Sequence, residues 1–398
     1  MINDELRARA QALAPELIKT RRHIHMHPEL GDEEYETQKF IISKLDEYGI
    51  EHHEYPNYTA VVGIIRGGRP GKTVGLRADI DALPLTEQPG REYGSCTPGK
   101  MHACGHDAHT TILLGAGKLL NEMRSELKGN VKLFFQPAEE TDGGAEKMIK
   151  LGCMENPHVD YVLGLHVMSY MPVGDVETRY GALNGASDEI DITVYGKKSH
   201  GARPNLGVDA IAIAAQIITA LQQQVSRRTS PLDSTVVSIG MISGGTAGNI
   251  VCDEVHMNGT LRTISPETRE QMRTEIVRVS EGIAAAMGGR AECAMRPSYC
   301  ALINDQDAVD RTLKLLRGVL GEEHVHIKDA PSLGVEDFSY FCRERPGAFY
   351  HIGMAPSAEA AKTWPELHTS EMDIDERVLP LGAELQTRLV LDYLNDQE

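Results

Sequence analysis

The sequence predicts an α/β fold in which a discontinuous α/β domain, built on a central mixed sheet, is interrupted by a ferredoxin-like βαββαβ insert. Three observations predict it. Apolar runs of strand length alternate with amphipathic helical segments through the first part of the chain; near Gly185 the order changes to βαββαβ; from about Ala301 the first style resumes. The 398 residues, 41% of them apolar, suffice for two separate cores. The boundaries read as 1–184 with 298–398 for the first domain and 185–297 for the insert.

Each element has its own warrant. After an opening helix, VVGIIRG and TVGLRAD are strand-length apolar runs. Residues 106–126 carry helical periodicity, VKLFFQ is a buried strand, 144–151 is a helix and YVLGLHV is another buried strand. Within the insert, SDEIDITVYG alternates like a strand, 208–225 is helical, and STVVSIGMI and VHMNGTLRT are strands. Pro266 is well placed to open a helix that runs to about Met287, and AECAMRPS closes the unit. A helix, a Gly- and Pro-punctuated loop region, the strand AFYHIG and a terminal helix from Asp375 complete the first domain.

Bulk properties exclude several functions. With 58 acidic against 40 basic residues the formal charge is −18, which argues against a surface for nucleic acid, since neutralising phosphates takes clustered Lys and Arg. Residues 1–20 are charged and lack the apolar core of a secretory signal. The most apolar stretch, 211–221, falls well short of the roughly 20 residues that cross a bilayer. Seven cysteines, odd in number and scattered, do not form the framework of a small secreted domain. A cytoplasmic protein with reduced thiols is expected.

The densest chemical signal is MHACGHDAH, where His102, Cys104 and His106 recur at every second residue and would share one face of an extended segment. Imidazole and thiolate both bind zinc-like cations, so the row is a candidate half-site. In FFQPAEET a buried strand ends beside two adjacent carboxylates, Glu139 and Glu140. Neighbouring side chains diverge, so one can bind metal while the other carries a proton. His166 in GLHV and His368 in LHTSEMDIDE are further ligand candidates. Asp79 and Asp81, two apart at a strand end, can ligate metal or fix a ligand histidine's tautomer. A cysteine-nucleophile enzyme using Cys104 and His106 is the competing chemistry, and there a chelator would leave activity intact.

These motifs, together with HMHPEL, SHGARP, GGTAGNIV and EDFSYF, run in order over nearly the whole chain. They resemble the amidohydrolase branch of the aminoacylase and carboxypeptidase metallohydrolases, which contains hippurate hydrolases, auxin-conjugate hydrolases and N-acetyldiaminopimelate deacetylases. The resemblance implies two divalent cations held by Cys104, His106, Glu140, His166 and His368, with Cys104 bridging and His102 in support. It implies Glu139 as general base and Asp81 as the carboxylate behind the ligands, and makes ligation by Asp79 doubtful. Zinc, manganese, cobalt and nickel all accept such donors.

Two cations about 3.5 to 4 Å apart lower the pKa of a water and polarise a scissile carbonyl, while a carboxylate removes the water's proton. The tetrahedral oxyanion needs a further donor, for which His200 in SHGARP is the candidate. The insert must then fold over the site or serve a neighbouring subunit, which makes it a lid or dimerisation domain and a homodimer possible. Asn249 and Arg262 are candidates for the substrate's carboxylate. His23, His25 and His27 read as structural, His109 as support for the ligands, and Glu336 with Asp337 as pocket lining or a helix cap. The expected substrate is a small N-acyl (acetyl, benzoyl or similar) amino acid or short peptide. Dipeptidase, aminopeptidase or carboxypeptidase activity is the alternative, and a non-catalytic metal- or ligand-binding protein is the alternative of another class.

Overall fold

The computed structural model describes residues 2–395. The chain divides into two compact units: Met1–Gly181 with Ile303–Asp329 and Tyr340–Glu398, and Ala182–Leu302 with Ala330–Ser339. The last of these segments was read from the sequence as part of the first domain. It is held in the second unit by Gly185 N–H to Gly334 O at 3.0 Å and Ser332 N–H to Leu183 O at 2.9 Å. A loop without strand periodicity leaves no trace of such pairing in sequence.

The first unit is built on a mixed sheet of eight strands among the described residues. They run across it as Glu51–Tyr55, Tyr58–Arg66, Lys128–Gln136, Arg69–Asp79, Tyr161–Pro172, Gly347–Ala355, Val176–Thr178 and Val325–Ile327. The four inner strands from Lys128–Gln136 to Gly347–Ala355 are mutually parallel. Parallel strands are covered on both faces and so read as continuous apolar runs. Gly347–Ala355 is buried at every position, and the antiparallel neighbour Tyr58–Arg66 is likewise buried over residues 58–65. Helices His106–Glu122 and Val378–Asn395 pack on the sheet with Leu113, Leu114, Leu385 and Leu389 in the core. The helix expected over 106–126 stops at Glu122, and the terminal one begins at Val378 rather than Asp375. Open sheets of this kind place their chemistry at the carboxyl ends of the parallel strands. Asp79 and Gln136, opposite one another in register, are two such ends.

The second unit carries four antiparallel strands in the order Thr235–Gly244, Glu254–Thr263, Ala186–Tyr195, Arg290–Pro297. In the unit's own sequence this is 2-3-1-4, the ferredoxin-like arrangement, with helices Ala210–Arg228 and Pro266–Ala286 following the first and third strands. Asp209 caps one helix and Ser265, followed by Pro266, caps the other. A separate two-stranded ribbon pairs Ser199–His200, which follows the first strand of this sheet, with Ile250–Val251, which lies between its second and third. No helix among the described residues is long and apolar enough to cross a membrane.

Candidate metal centre

Three turns of the first unit and the strand Tyr161–Pro172, which carries His166, deliver the candidate ligands. Gly105, at φ +90, links Cys104 to the helix beginning at His106. A Cβ there would stand 2.5 Å from Val167 Cγ2, so only glycine lets this turn lie against the strand that carries His166. The strand Lys128–Gln136 ends in Pro137 and Ala138, and Ala138 takes φ +59 before Glu139 and Glu140. His368 takes φ +62, and its N–H donates to Ala103 O at 2.8 Å, tying the late loop to the cysteine segment. A left-handed non-glycine residue costs roughly 1–2 kcal/mol, which neighbouring contacts must offset.

These turns gather five side chains. Cys104 Sγ lies 3.4 Å from His166 Nε2 and 3.2 Å from His368 Nε2. His368 Nε2 is 3.2 Å from Glu140 Oε1. His106 Nε2 is 3.8 Å from Glu140 Oε1 and 3.9 Å from Glu139 Oε2. Two triads result, Cys104 with His106 and His166, and Cys104 with Glu140 and His368, each with its donor atoms within 4.8 Å of one another. They share the sulfur.

The polar inventory fits a pair of cations. His106 Nε2 is buried without a hydrogen-bond partner among the described residues, an arrangement that costs free energy unless something else meets its lone pair, and Glu140 Oε1 is buried with the His368 ring 3.2 Å away. Sulfur, imidazole and carboxylate together suit zinc, manganese, cobalt or nickel. Burial, with the Glu140 carboxylate beside it, pushes the Cys104 thiol well above its ordinary value, so binding a cation as thiolate displaces a proton. Burial holds His166 well below its usual value, which keeps its ring neutral and able to ligate. For Glu140 burial acts upward, yet His368 and His106 outweigh it and lower the carboxylate.

The neighbours fix how the ligands face. His106 Nδ1 lies 2.9 Å from Asp81 O and 3.2 Å from Asp81 Oδ1, which places its proton there and leaves Nε2 as a lone pair. Asp81 Oδ2 accepts the N–H of Glu140 at 2.9 Å, so one carboxylate orients two candidate ligands. His166 Nδ1–H donates to Val167 O at 2.6 Å. Asp79 accepts from Arg77 Nη1 at 2.8 Å on one oxygen and from His109 Nδ1 at 2.6 Å on the other. His109 Nε2 accepts the N–H of Val167 at 3.0 Å. With both oxygens of Asp79 and both nitrogens of His109 engaged, the pair braces the strand that carries His166; Asp79, His106 and His109 also place donor atoms within 4.8 Å of one another.

The remaining histidines divide. His25 is buried, with Nδ1 at 2.8 Å from Asp107 Oδ2, and Arg21 Nε donates to the same oxygen at 2.6 Å. His23 stacks on Phe40 at 4.2 Å, and His27 Nδ1–H donates to His23 O at 2.7 Å. His102, expected in support of the ligands, hydrogen-bonds to none of them; both ring nitrogens are buried without a partner among the described residues, and burial brings its pKa down to about 3. The sequence reading missed Arg21, Arg77 and Asp107. Asp107, next to His106, could have been suspected; the arginines carry no local signal.

In the second unit, His200 faces Ile250 across the ribbon, and the N–H of Gly201 donates to Asn249 O at 2.8 Å, so His200 and Asn249 are neighbours. His200 is exposed. Its Nδ1 accepts the N–H of Ala202 at 3.0 Å, which in the neutral ring puts the proton on Nε2. Arg262 lies on the strand Glu254–Thr263, half-buried; no carboxylate among the described residues pairs with it, and burial lowers its pKa. Glu336 accepts the N–H of Phe338 at 2.9 Å, just ahead of the helix Ser339–Glu344.

Residues 75–392 match the sequence profile of Peptidase family M20/M25/M40. The chain belongs to this family. It is an M20-family hydrolase, as the motif resemblance implied. It is 38% identical to the IAA-amino acid hydrolase ILR1-like 2 of Arabidopsis thaliana over 96% of this chain and 86% of that protein. It is also 38% identical to thermostable carboxypeptidase 2 of Saccharolobus solfataricus over 95% of each. Among solved structures it is similar to the Bacillus subtilis YXEP protein, described as a dinuclear metal binding peptidase from the M20 family, with 35% identity, a TM-score of 0.83, and coverage of 97% of this chain and 99% of that one.

Proposed function

We propose that this M20-family hydrolase cleaves the amide bond of N-acyl amino acids, with two divalent cations held by Cys104, His106, Glu140, His166 and His368. The observation that carries the reading is the pair of donor triads sharing Cys104, with the carboxylate of Glu139 against His106. When bound, the cations lower the pKa of a water and polarise the scissile carbonyl. Glu139 takes a proton from the attacking water and returns it to the departing nitrogen, so one residue serves as base and then acid. Asp81 keeps His106 and Glu140 aimed while this happens. His200, with its proton on Nε2, donates to the tetrahedral oxyanion. Arg262 and Asn249 hold the carboxylate of the amino-acid half; a half-buried guanidinium lacking an internal counter-ion favours an incoming anion.

The second unit is, on this reading, a lid that brings His200 to the substrate, from its own chain or from a twin. Its edge strand Thr235–Gly244 supports pairing between copies, since Met241 is 69% and Ile242 56% exposed on an unpaired edge. We infer a cytoplasmic setting, and the donor set accepts zinc, manganese, cobalt or nickel.

A carboxypeptidase reading is favoured by the archaeal relative's name and uses the same residues. One experiment separates the two: hydrolysis of acetyl and benzoyl amino acids against dipeptides with a free amino terminus, with metal content measured on the same sample. Turnover of acylated substrates, lost to a chelator and restored by added cation, is expected. Equal or better turnover of free dipeptides sinks the acyl preference, and activity indifferent to chelation sinks the metal mechanism.

A further inference from the structure

Glu34 precedes the helix Tyr35–Glu47 at the place where a side chain ordinarily accepts hydrogen bonds from the helix's own first N–H groups. Its carboxylate makes no such bond. Instead Oε1 accepts the N–H of Ala138 at 2.9 Å, and Oε2 accepts the hydroxyl of Thr59 at 2.7 Å. The residue is wholly buried, and burial brings its pKa up to about 7. A carboxyl group taken so far from water needs its hydrogen bonds, and here one goes to a backbone bend and the other to a strand hydroxyl.

That bend is Ala138, at φ +59, directly before Glu139 and Glu140. It is gripped elsewhere too. Ala138 O accepts the N–H of Gly143 at 3.0 Å. A Cβ on Gly31 would stand 3.0 Å from Ala138 Cα and 2.5 Å from Thr141 Oγ1, so the loop before Glu34 lies directly on the turn. Glu140, the second residue after the bend, has a tether apart from it, its N–H to Asp81 Oδ2 at 2.9 Å, and Glu139 lies between the two held positions.

We propose that Glu34 is a positioning residue for the hydrolytic reaction: by holding the left-handed bend at Ala138, it sets the direction of Glu139 relative to the ligand Glu140. The inference rests on the roles proposed above for these two glutamates. It requires an acceptor at residue 34, and charge is secondary. Since Asp81 independently holds Glu140, the cation site keeps this ligand in place when the bend is released.

The test compares Glu34→Met, which removes the acceptor at similar length, with Glu34→Gln, whose amide oxygen can still take the N–H of Ala138. In the metal-loaded full chain, E34M is expected to lower kcat roughly 10- to 100-fold, the cost of misplacing a reacting group by a fraction of an ångström to an ångström. KM and bound metal should stay near wild type, and E34Q should recover most of kcat. Backbone hydrogen exchange over residues 137–144 should quicken in E34M and not in E34Q. Unchanged exchange in E34M overturns the clamp, as does a variant that loses metal and kcat together or a glutamine that fails to rescue. Should E34M not fold, Thr59→Val loosens the same carboxylate and must shift kcat and exchange in the same direction, by less; no shift overturns the proposal. If the wild-type chain hydrolyses no acylated amino acid, the functional reading fails, while the exchange experiment still decides the clamp.

Discussion

The polar side chains of the metal cage and those of the His200 ribbon are kept on opposite terms. Behind the candidate ligands of the first unit the hydrogen bonds are made: His106 and His166 have their Nδ1 protons placed, Asp81 serves two of the candidates, and Asp79 with His109 is fully paired. In the second, His200 and Asn249 are exposed and Arg262 has no carboxylate partner among the described residues. A cage for ions must be built in advance, because misdirected donors do not bind. Groups meant for a visiting substrate must stay unspent until it arrives, because a donor already satisfied gains nothing from the oxyanion.

Substitutions can break this contrast or sharpen it. The largest effect is expected at Glu139→Gln, where kcat should fall about 10²- to 10⁴-fold, the usual worth of a positioned proton carrier. Metal content, read by elemental analysis, should stay at the wild-type value; a protein that emptied of metal would show Glu139 to be a ligand. Next comes His200→Ala, with a fall of about 10²- to 10³-fold in kcat from the loss of one oxyanion donor, again with metal retained. If H200A altered only KM, His200 would belong with the binding residues. The smallest effect is expected at Arg262→Met, which should raise KM roughly tenfold, on the low side of what a charge-assisted hydrogen bond contributes, and leave kcat nearly as it was. Should amides lacking a carboxylate lose as much as N-acyl amino acids do, the assignment of Arg262 to that group would be wrong.

How much of this was legible in sequence follows from whether the cause is local. The inner strands were readable because burial on both faces makes VKLFFQ and YVLGLHV continuous apolar runs. The βαββαβ order of the second unit was readable because its capped helices and alternating strands announce themselves one by one. The cysteine and histidine row stood out because its residues are two apart. Glu34 and Arg21 could not be found this way. Each acts on a partner 104 and 86 positions away, and at its own position looks like a surface glutamate or a helix arginine. The bends at Ala138 and His368 were hidden for a different reason. Left-handed backbone is legible when glycine occupies it, and here alanine and histidine are held there by tertiary contacts.

The sulfur common to both triads has a consequence for handling the enzyme. If Cys104 serves both cations, oxidising that single atom to a sulfinic acid would unseat the two together, with no half-active species between. Peroxide damage would then be all-or-none in each molecule. A preparation ageing in air would lose its fraction of working molecules while the survivors kept full turnover.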